Sequence, residues 1–184
     1  MLSATAITRI SKFLSLVLRH KPDELGIALD DGGWTDVAQL LQRMQQKGFD
    51  IDEPSLHEVV AANNKQRFAF SADGRRIRAS QGHSIPVNLG YAPQQPPRIL
   101  YHGTAAANLQ AILQQGLHKG SRHQVHLSTD EATAITVGRR HGAPVVVQVD
   151  AARMYADGYA FYCSDNVVWL TEWVPAVYLH PIAH

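Results

Sequence analysis

Between Pro86 and Pro97 the chain places Pro86, Pro93, Pro96 and Pro97 together with Gly90 and few large apolar side chains. A helix does not run through such a stretch, and a central strand does not either, because proline fixes φ and has no amide hydrogen to donate. The 184 residues must therefore build their hydrophobic cores on either side of a linker. Two small lobes are expected, residues 1–90 and 91–184.

In the first lobe Ile10, Phe13, Leu14, Val17 and Leu18 fall on one helical stripe. That helix must stop near His20, since Pro22 disfavours α geometry at Lys21. A short extended piece, Gly26 to Leu29, leads into the turn Asp30-Asp31-Gly32-Gly33. Thr35 is expected to cap a helix over 36–47 that ends at Gly48, and Pro54 to open another reaching about Ala62. Asp73-Gly74, set between Phe68-Ala69-Phe70 and Arg75-Arg76-Ile77-Arg78, is a hairpin signal. Helices followed by a basic hairpin predict a winged-helix-like module, a shape used by many nucleic-acid binders, although a small packed helical domain would read much the same way.

After the linker the texture changes to short strands and short helices. Strands are expected over 99–102, 125–128, 144–149, 167–170 and 174–179. Helices are expected over 105–115 and from a cap at Asp130 toward Gly138. The fold class is therefore α+β.

Composition excludes several classes. At 45% hydrophobic and 18% charged residues the chain is ordinary for a globular protein. No apolar run approaches the roughly 18 residues of a membrane span. Thr8, Arg9, Ser11 and Lys12 interrupt the N-terminal apolar residues, which therefore do not read as a signal peptide. The only cysteine, Cys163, cannot form an internal disulfide and fits a reducing compartment, so a cytoplasmic protein is expected. Net charge is +1, yet Lys65, Arg67, Arg75, Arg76 and Arg78 face a single Asp73 in their stretch, enough local charge to hold a few phosphates.

Six segments could carry chemistry. Leu18-Arg19-His20-Lys21-Pro22 sets cations at a helix C-terminus, where they suit the helix dipole or could grip a phosphate and shuttle a proton. Asn63-Asn64-Lys65-Gln66-Arg67 leads into Ser80-Gln81-Gly82-His83-Ser84 around the basic hairpin, which could equally be a solvated face. The others are Tyr101-His102-Gly103-Thr104; Arg122-His123-Gln124-Val125-His126-Leu127-Ser128; Gly138-Arg139-Arg140-His141-Gly142; and Phe161-Tyr162 through Asn166 to Trp169-Leu170-Thr171. The His-x-His spacing invites a metal, but no Cys, Asp or Glu completes a ligand set at regular spacing, so no metal is expected. A glycine-rich dinucleotide fingerprint, a P-loop and a nucleophile elbow are all missing. Scattered acidic residues also argue against a two-metal phosphatase.

Taken in order, the six segments resemble the RNA 2′-phosphotransferase family, known from tRNA splicing, over nearly the whole chain, from Ser11-Lys12-Phe13-Leu14-Ser15 to Trp169-Leu170-Thr171. The resemblance implies an N-terminal winged-helix-like RNA-binding lobe and a C-terminal ADP-ribosyltransferase-like, NAD-binding lobe. It also implies a catalytic Arg-His-Arg-Arg set at Arg19, His20, Arg67 and Arg140, with Arg139 the alternative for the fourth member. NAD⁺ contacts would fall on His102, Gly103, Thr104, His126 and Ser128, with Asn166 and Trp169 as further members. Two positions depart from the pattern. Gln124 stands where many members carry His or an aromatic residue, and Glu172 follows Thr171 without matching the catalytic glutamate of many ADP-ribosyltransferases. A missing glutamate is chemically reasonable. A phosphate monoester, with a second pKa of about 6, is already largely ionised near neutrality and needs arginines more than a base.

The implied reaction has two steps. The RNA 2′-phosphate attacks C1″ of the nicotinamide ribose and expels nicotinamide, giving an ADP-ribosylated RNA 2′-phosphate. The ribose 2″-hydroxyl then attacks phosphorus, releasing the RNA 2′-hydroxyl and ADP-ribose 1″,2″-cyclic phosphate. Arg19, Arg67 and Arg140 would hold the phosphate, and His20 would move the proton of the second step. NAD⁺ is consumed as co-substrate, the partner is a tRNA-like RNA with an internal 2′-phosphate, and a monomer without membrane association is expected. Two rivals belong to other classes: an ADP-ribosyltransferase acting on a protein or a terminal phosphate, and a non-catalytic winged-helix regulator.

Overall fold

The computed structural model describes residues 2–63 and 66–182. It divides into two compact units, Met1–Gly90 and Tyr91–His184. Both mix helices with small antiparallel sheets, an α+β composition.

The first unit is organised by α1 (Ala4–Arg19), capped by the Ser3 side chain on the amide of Ala6. Its stripe of Ile10, Leu14, Val17 and Leu18 is buried against α2 (Val37–Gln46), α3 (Glu53–Ala61) and a three-stranded sheet. That sheet has the order β1 (Thr35–Asp36), β3 (Arg76–Ala79), β2 (Phe68–Phe70). The hairpin turns where Asp73-Gly74 predicts it, with Gly74 at φ +72°. One cap moves. Thr35 does not cap α2, because its backbone pairs with Ile77 in the sheet. Asp36 takes the role, and its carboxylate accepts from the Gln39 amide at 2.8 Å. Gly26 to Leu29 joins no sheet ladder; the chain first makes a 3₁₀ turn at Pro22–Glu24.

The second unit contains two three-stranded antiparallel sheets and a two-stranded ribbon. In one sheet β7 (Pro144–Val149) lies between β4 (Leu100–Ala105) and β11 (Leu179–Pro181). In the other β9 (Trp169–Thr171) lies between β6 (Val125–Leu127) and β8 (Tyr162–Cys163). The ribbon pairs β5 (Leu117–His118) with β10 (Trp173–Val174). α4 (Ala106–Gln115) follows β4 directly, and α5 (Glu131–Gly138) starts at Asp130, whose carboxylate accepts from the Thr133 amide at 2.7 Å. A six-residue helix, α6 (Ala151–Ala156), was not expected. The strand expected over 174–179 is instead broken by a 3₁₀ turn at Ala176–Tyr178, begun by Pro175, which cannot continue a ladder.

Gly103 shows why this sheet and helix meet where they do. A β-carbon built there would lie 1.7 Å from the Ala134 carbonyl oxygen of α5. Gly138 repeats the arrangement from the helix side, its added carbon falling 2.8 Å from the Thr104 carbonyl oxygen. Only glycine lets α5 lie directly on β4, the strand that carries His102.

Candidate functional site

In the first unit three of the expected residues are brought together by a chain of hydrogen bonds. Arg19 closes α1, and its Nη2 donates to the backbone carbonyl of Arg67 at 3.4 Å. The same carbonyl accepts from the Ser80 amide at 2.9 Å, while Ser80 Oγ donates to the Gln66 carbonyl at 3.1 Å. Arg67 Nη1 donates to Asn63 Oδ1 at 3.0 Å, and Asn63 Nδ2 in turn donates to Ser11 Oγ at 3.1 Å. Asn63 is buried, and Gln66 sits in the left-handed region at φ +41°, its amide returned to the Asn63 carbonyl at 2.8 Å. The turn delivers Arg67 beside the end of α1, 48 residues earlier in the chain. His20 follows directly and its Nδ1 lies 2.9 Å from Ser84 Oγ, while the Ser84 amide donates to the Arg19 carbonyl at 2.9 Å. The backbone of Arg67 is thus tied to the end of α1 that carries Arg19 and His20, and these three side chains are of the types that bind a phosphate dianion and transfer a proton.

The rest of the basic stretch is used differently. Arg78 stacks on Trp34 with its guanidinium carbon 4.5 Å from the ring centroid, and donates to the Leu89 carbonyl at 3.1 Å. Arg76 lies over the same ring at 5.6 Å and pairs with Asp30 at 3.2 Å. These two arginines fasten the hairpin, and Arg75 is left exposed at its tip. Lys65 lies outside the described residues.

In the second unit the two expected histidines are neighbours. A bridge between Tyr101 and Ser128, with amide–carbonyl bonds of 2.9 and 2.8 Å, joins the end of β6 to β4. Across that seam His102 Nδ1 lies 3.0 Å from the His126 carbonyl. A carbonyl only accepts, so the His102 proton sits on Nδ1 and Nε2 is an acceptor. Burial, aided by the nearby His141, holds the pKa of His102 below the ordinary imidazole value and keeps the ring neutral, against the opposing pull of that carbonyl. His126 has the complementary tautomer. Arg122 Nη1, which can only donate, lies 3.1 Å from His126 Nδ1, so the His126 proton is on Nε2.

Arg122 is the residue that sequence reasoning passed over. Its pKa is lowered, first by partial burial and then by the charge of Arg140 beside it. No salt bridge among the described residues joins either arginine to a carboxylate. Two like charges influence one another here, next to His126, and such a pair would suit an anionic ligand. The signal lies in Arg122-His123-Gln124-Val125-His126, a cation set just ahead of the histidine pair. Arg139 is the C-terminal cap residue of α5 and, like Arg140 and Arg122, is exposed.

The remaining expected residues have structural partners. Thr104 is buried and its Oγ1 accepts from Asn108 at 3.3 Å. Asn166 Oδ1 accepts from Ser164 Oγ at 2.7 Å, in a turn that holds Val167 at φ +60°. Trp169 packs into the core of the unit. Glu172 pairs with Lys119 across the β5–β10 ribbon. Burial and Asp165 raise the pKa of Cys163, so its thiol stays protonated and is no nucleophile. Among the described residues no group of three or more His, Cys, Asp or Glu side chains is arranged to hold a metal ion.

Residues 5–173 match the model of the RNA 2′-phosphotransferase, Tpt1 / KptA family. A probable RNA 2′-phosphotransferase of Agrobacterium fabrum is 56% identical over 94% of this chain and 92% of its own length. One from Nostoc punctiforme is 50% identical over 98% of the chain and 100% of its own. One from Pseudomonas aeruginosa is 51% identical over 92% and 93%.

Proposed function

The chain belongs to the RNA 2′-phosphotransferase family, and from that premise we propose that it removes an internal 2′-phosphate from RNA at the expense of NAD⁺. The observation that carries the reading is the anchored set of Arg19, His20 and Arg67 in the first unit. A general ADP-ribosyltransferase or a simple nucleic-acid binder has no use for a histidine next to an arginine that is held to the backbone of a second arginine, itself anchored on a buried amide.

In this reading the first unit is the winged-helix-like RNA lobe and the second the ADP-ribosyltransferase-like lobe. The donor set of the second unit fits a dinucleotide. His102 offers an acceptor and His126 a donor suited to ribose hydroxyls, while Arg122 and Arg140 offer cations suited to phosphate oxygens. Gly103, Thr104, Ser128, Asn166 and Trp169 complete the proposed surroundings. NAD⁺ supplies an activated ribose carbon, with nicotinamide as the leaving group. The 2′-phosphate becomes joined to ADP-ribose, then leaves the RNA as ADP-ribose 1″,2″-cyclic phosphate.

Arg19 and Arg67 bind the phosphate and neutralise the charge that develops on it, a task in which the family resemblance makes Arg140 the further member. Their anchoring means little reorganisation is needed at the moment of reaction. His20, oriented through Nδ1 by Ser84, transfers the proton of the second step. No step needs a metal. A tRNA-like substrate, a monomer and a cytoplasmic setting complete the reading; no described helix is long and apolar enough to cross a membrane.

The test is nicotinamide release with NAD⁺ and three oligonucleotides: one with an internal 2′-phosphate, one with only a terminal phosphate, and one with neither. Release confined to the first supports the reading. Release with the terminal phosphate, or with protein alone, would move the function to a different acceptor, and binding with no release would leave only an RNA-binding module.

A further inference from the structure

We propose that the outward face of α1, together with Phe49, is a track for the single RNA strand that flanks the phosphorylated nucleotide. The inference rests on the reading just given and extends it to a surface that takes no part in the chemistry. Along this face lies an open groove of about 780 Å³ whose walls include Thr8, Arg9, Lys12, Phe13, Leu16 and Phe49. Phe13 and Phe49 stack with their centroids 4.6 Å apart, and the Arg9 guanidinium carbon lies 4.9 Å from the Phe49 ring centroid. Leu16 is 37% exposed, a large apolar side chain left in solvent on a helix whose opposite stripe is fully packed.

The spacing links this groove to the catalytic end of the helix. Positions 9, 12, 16 and 19 recur at intervals of three and four, so they share one face of α1, with His20 next in the chain, while Ile10, Leu14, Val17 and Leu18 occupy the buried one. At 1.5 Å per residue, Lys12 lies about 10 Å and Arg9 about 15 Å along the axis from Arg19. That is the reach of roughly three to four stacked nucleotides at about 3.4 Å each.

The chemistry of the walls matches a single strand. Arg9 and Lys12 offer charge for phosphates, no carboxylate among the described residues lines the groove, and Leu16 with the outer parts of the two rings offers apolar surface to unpaired bases. An acidic peptide would satisfy the two cations equally well, but it would give no reason for the groove to lead to the residues that handle the phosphate. A strand entering along α1 would bring its 2′-phosphate to Arg19 and His20.

The experiment uses the full chain and its Arg9→Ala/Lys12→Ala variant. Steady-state kinetics are measured over a range of salt, with a 2′-phosphorylated trinucleotide and with a long single strand carrying the phosphate centrally. For the long strand the variant should show KM raised about tenfold and kcat unchanged. Its slope of log KM against log salt should be reduced by about 1.4, since each lost single-strand phosphate contact is worth about 0.7. The trinucleotide should be turned over as by the native protein. An unchanged KM and slope for the long strand, or an equal loss with the trinucleotide, would overturn the track. So would a change in sedimentation without a change in RNA kinetics, which would mark a self-association face. Anisotropy with an unphosphorylated single strand separates the two readings. If the native protein turns over neither substrate but the variant still loses the same salt slope in binding, the activity fails and the track stands.

Discussion

The two units hold their arginines in opposite ways. In the first, Arg19 is held to a backbone carbonyl and Arg67 to the buried Asn63, so their geometry is complete before any ligand arrives. In the second, Arg122 donates to the His126 imidazole at 3.1 Å, and partial burial followed by the charge of Arg140 lowers its pKa. One unit holds its arginines on neutral backbone and amide groups, and the other sets two like charges within influence of one another. Charge held in place favours the transition state, whereas two like charges set near one another favour binding of an anion. On the proposed function, the first unit would act mainly on turnover and the second mainly on retention of the dinucleotide.

That contrast can be broken most easily at its strongest point. Arg67→Ala or His20→Ala should lower kcat by about 10²–10³ with the fold preserved, as single-turnover rates and circular dichroism would register. Turnover left intact in a folded variant would remove the first unit from the chemistry. Close behind comes Gly103→Ala, where the new β-carbon meets the Ala134 carbonyl. A loss of about 3 kcal/mol is expected in denaturant unfolding, at the upper end of overpacking costs.

A smaller and more diagnostic effect separates the arginine pair. Arg122→Ala should raise KM for NAD⁺ about tenfold while leaving the melting temperature unchanged or slightly higher, because a like-charge contact is removed. A matched fall in stability would mean that the pair is structural. Smallest is the pH effect at His102, whose folded pKa lies below the ordinary 6.5. The unfolded chain therefore takes up this proton first as pH falls, so stability present above about 6.5 is lost below it. His102→Gln should flatten that part of the stability–pH curve, measured by denaturation at stepped pH.

Local signals carried most of the fold. The helical stripe of α1, the Asp73-Gly74 turn and the Asp130 cap each depend on residues within a few positions, and each is visible in the chain. What was not visible depends on distant partners. Thr35 lost its cap role to Asp36 because it pairs with Ile77, and Pro175 divides what composition suggests is one strand. The same holds for the site. Arg76 and Arg78 belong to the hairpin's own packing because Trp34, more than forty residues earlier, offers them a ring. Arg122 gained significance only when Arg140 came beside it.

The most direct test is the identity of the products. Purified protein, NAD⁺ and an oligonucleotide with one internal 2′-phosphate, without added metal, should yield RNA with a 2′-hydroxyl, nicotinamide and ADP-ribose 1″,2″-cyclic phosphate in equal amounts, resolved by mass spectrometry. RNA that keeps its phosphate while NAD⁺ remains intact would contradict the account, and so would inorganic phosphate released without any ADP-ribose product.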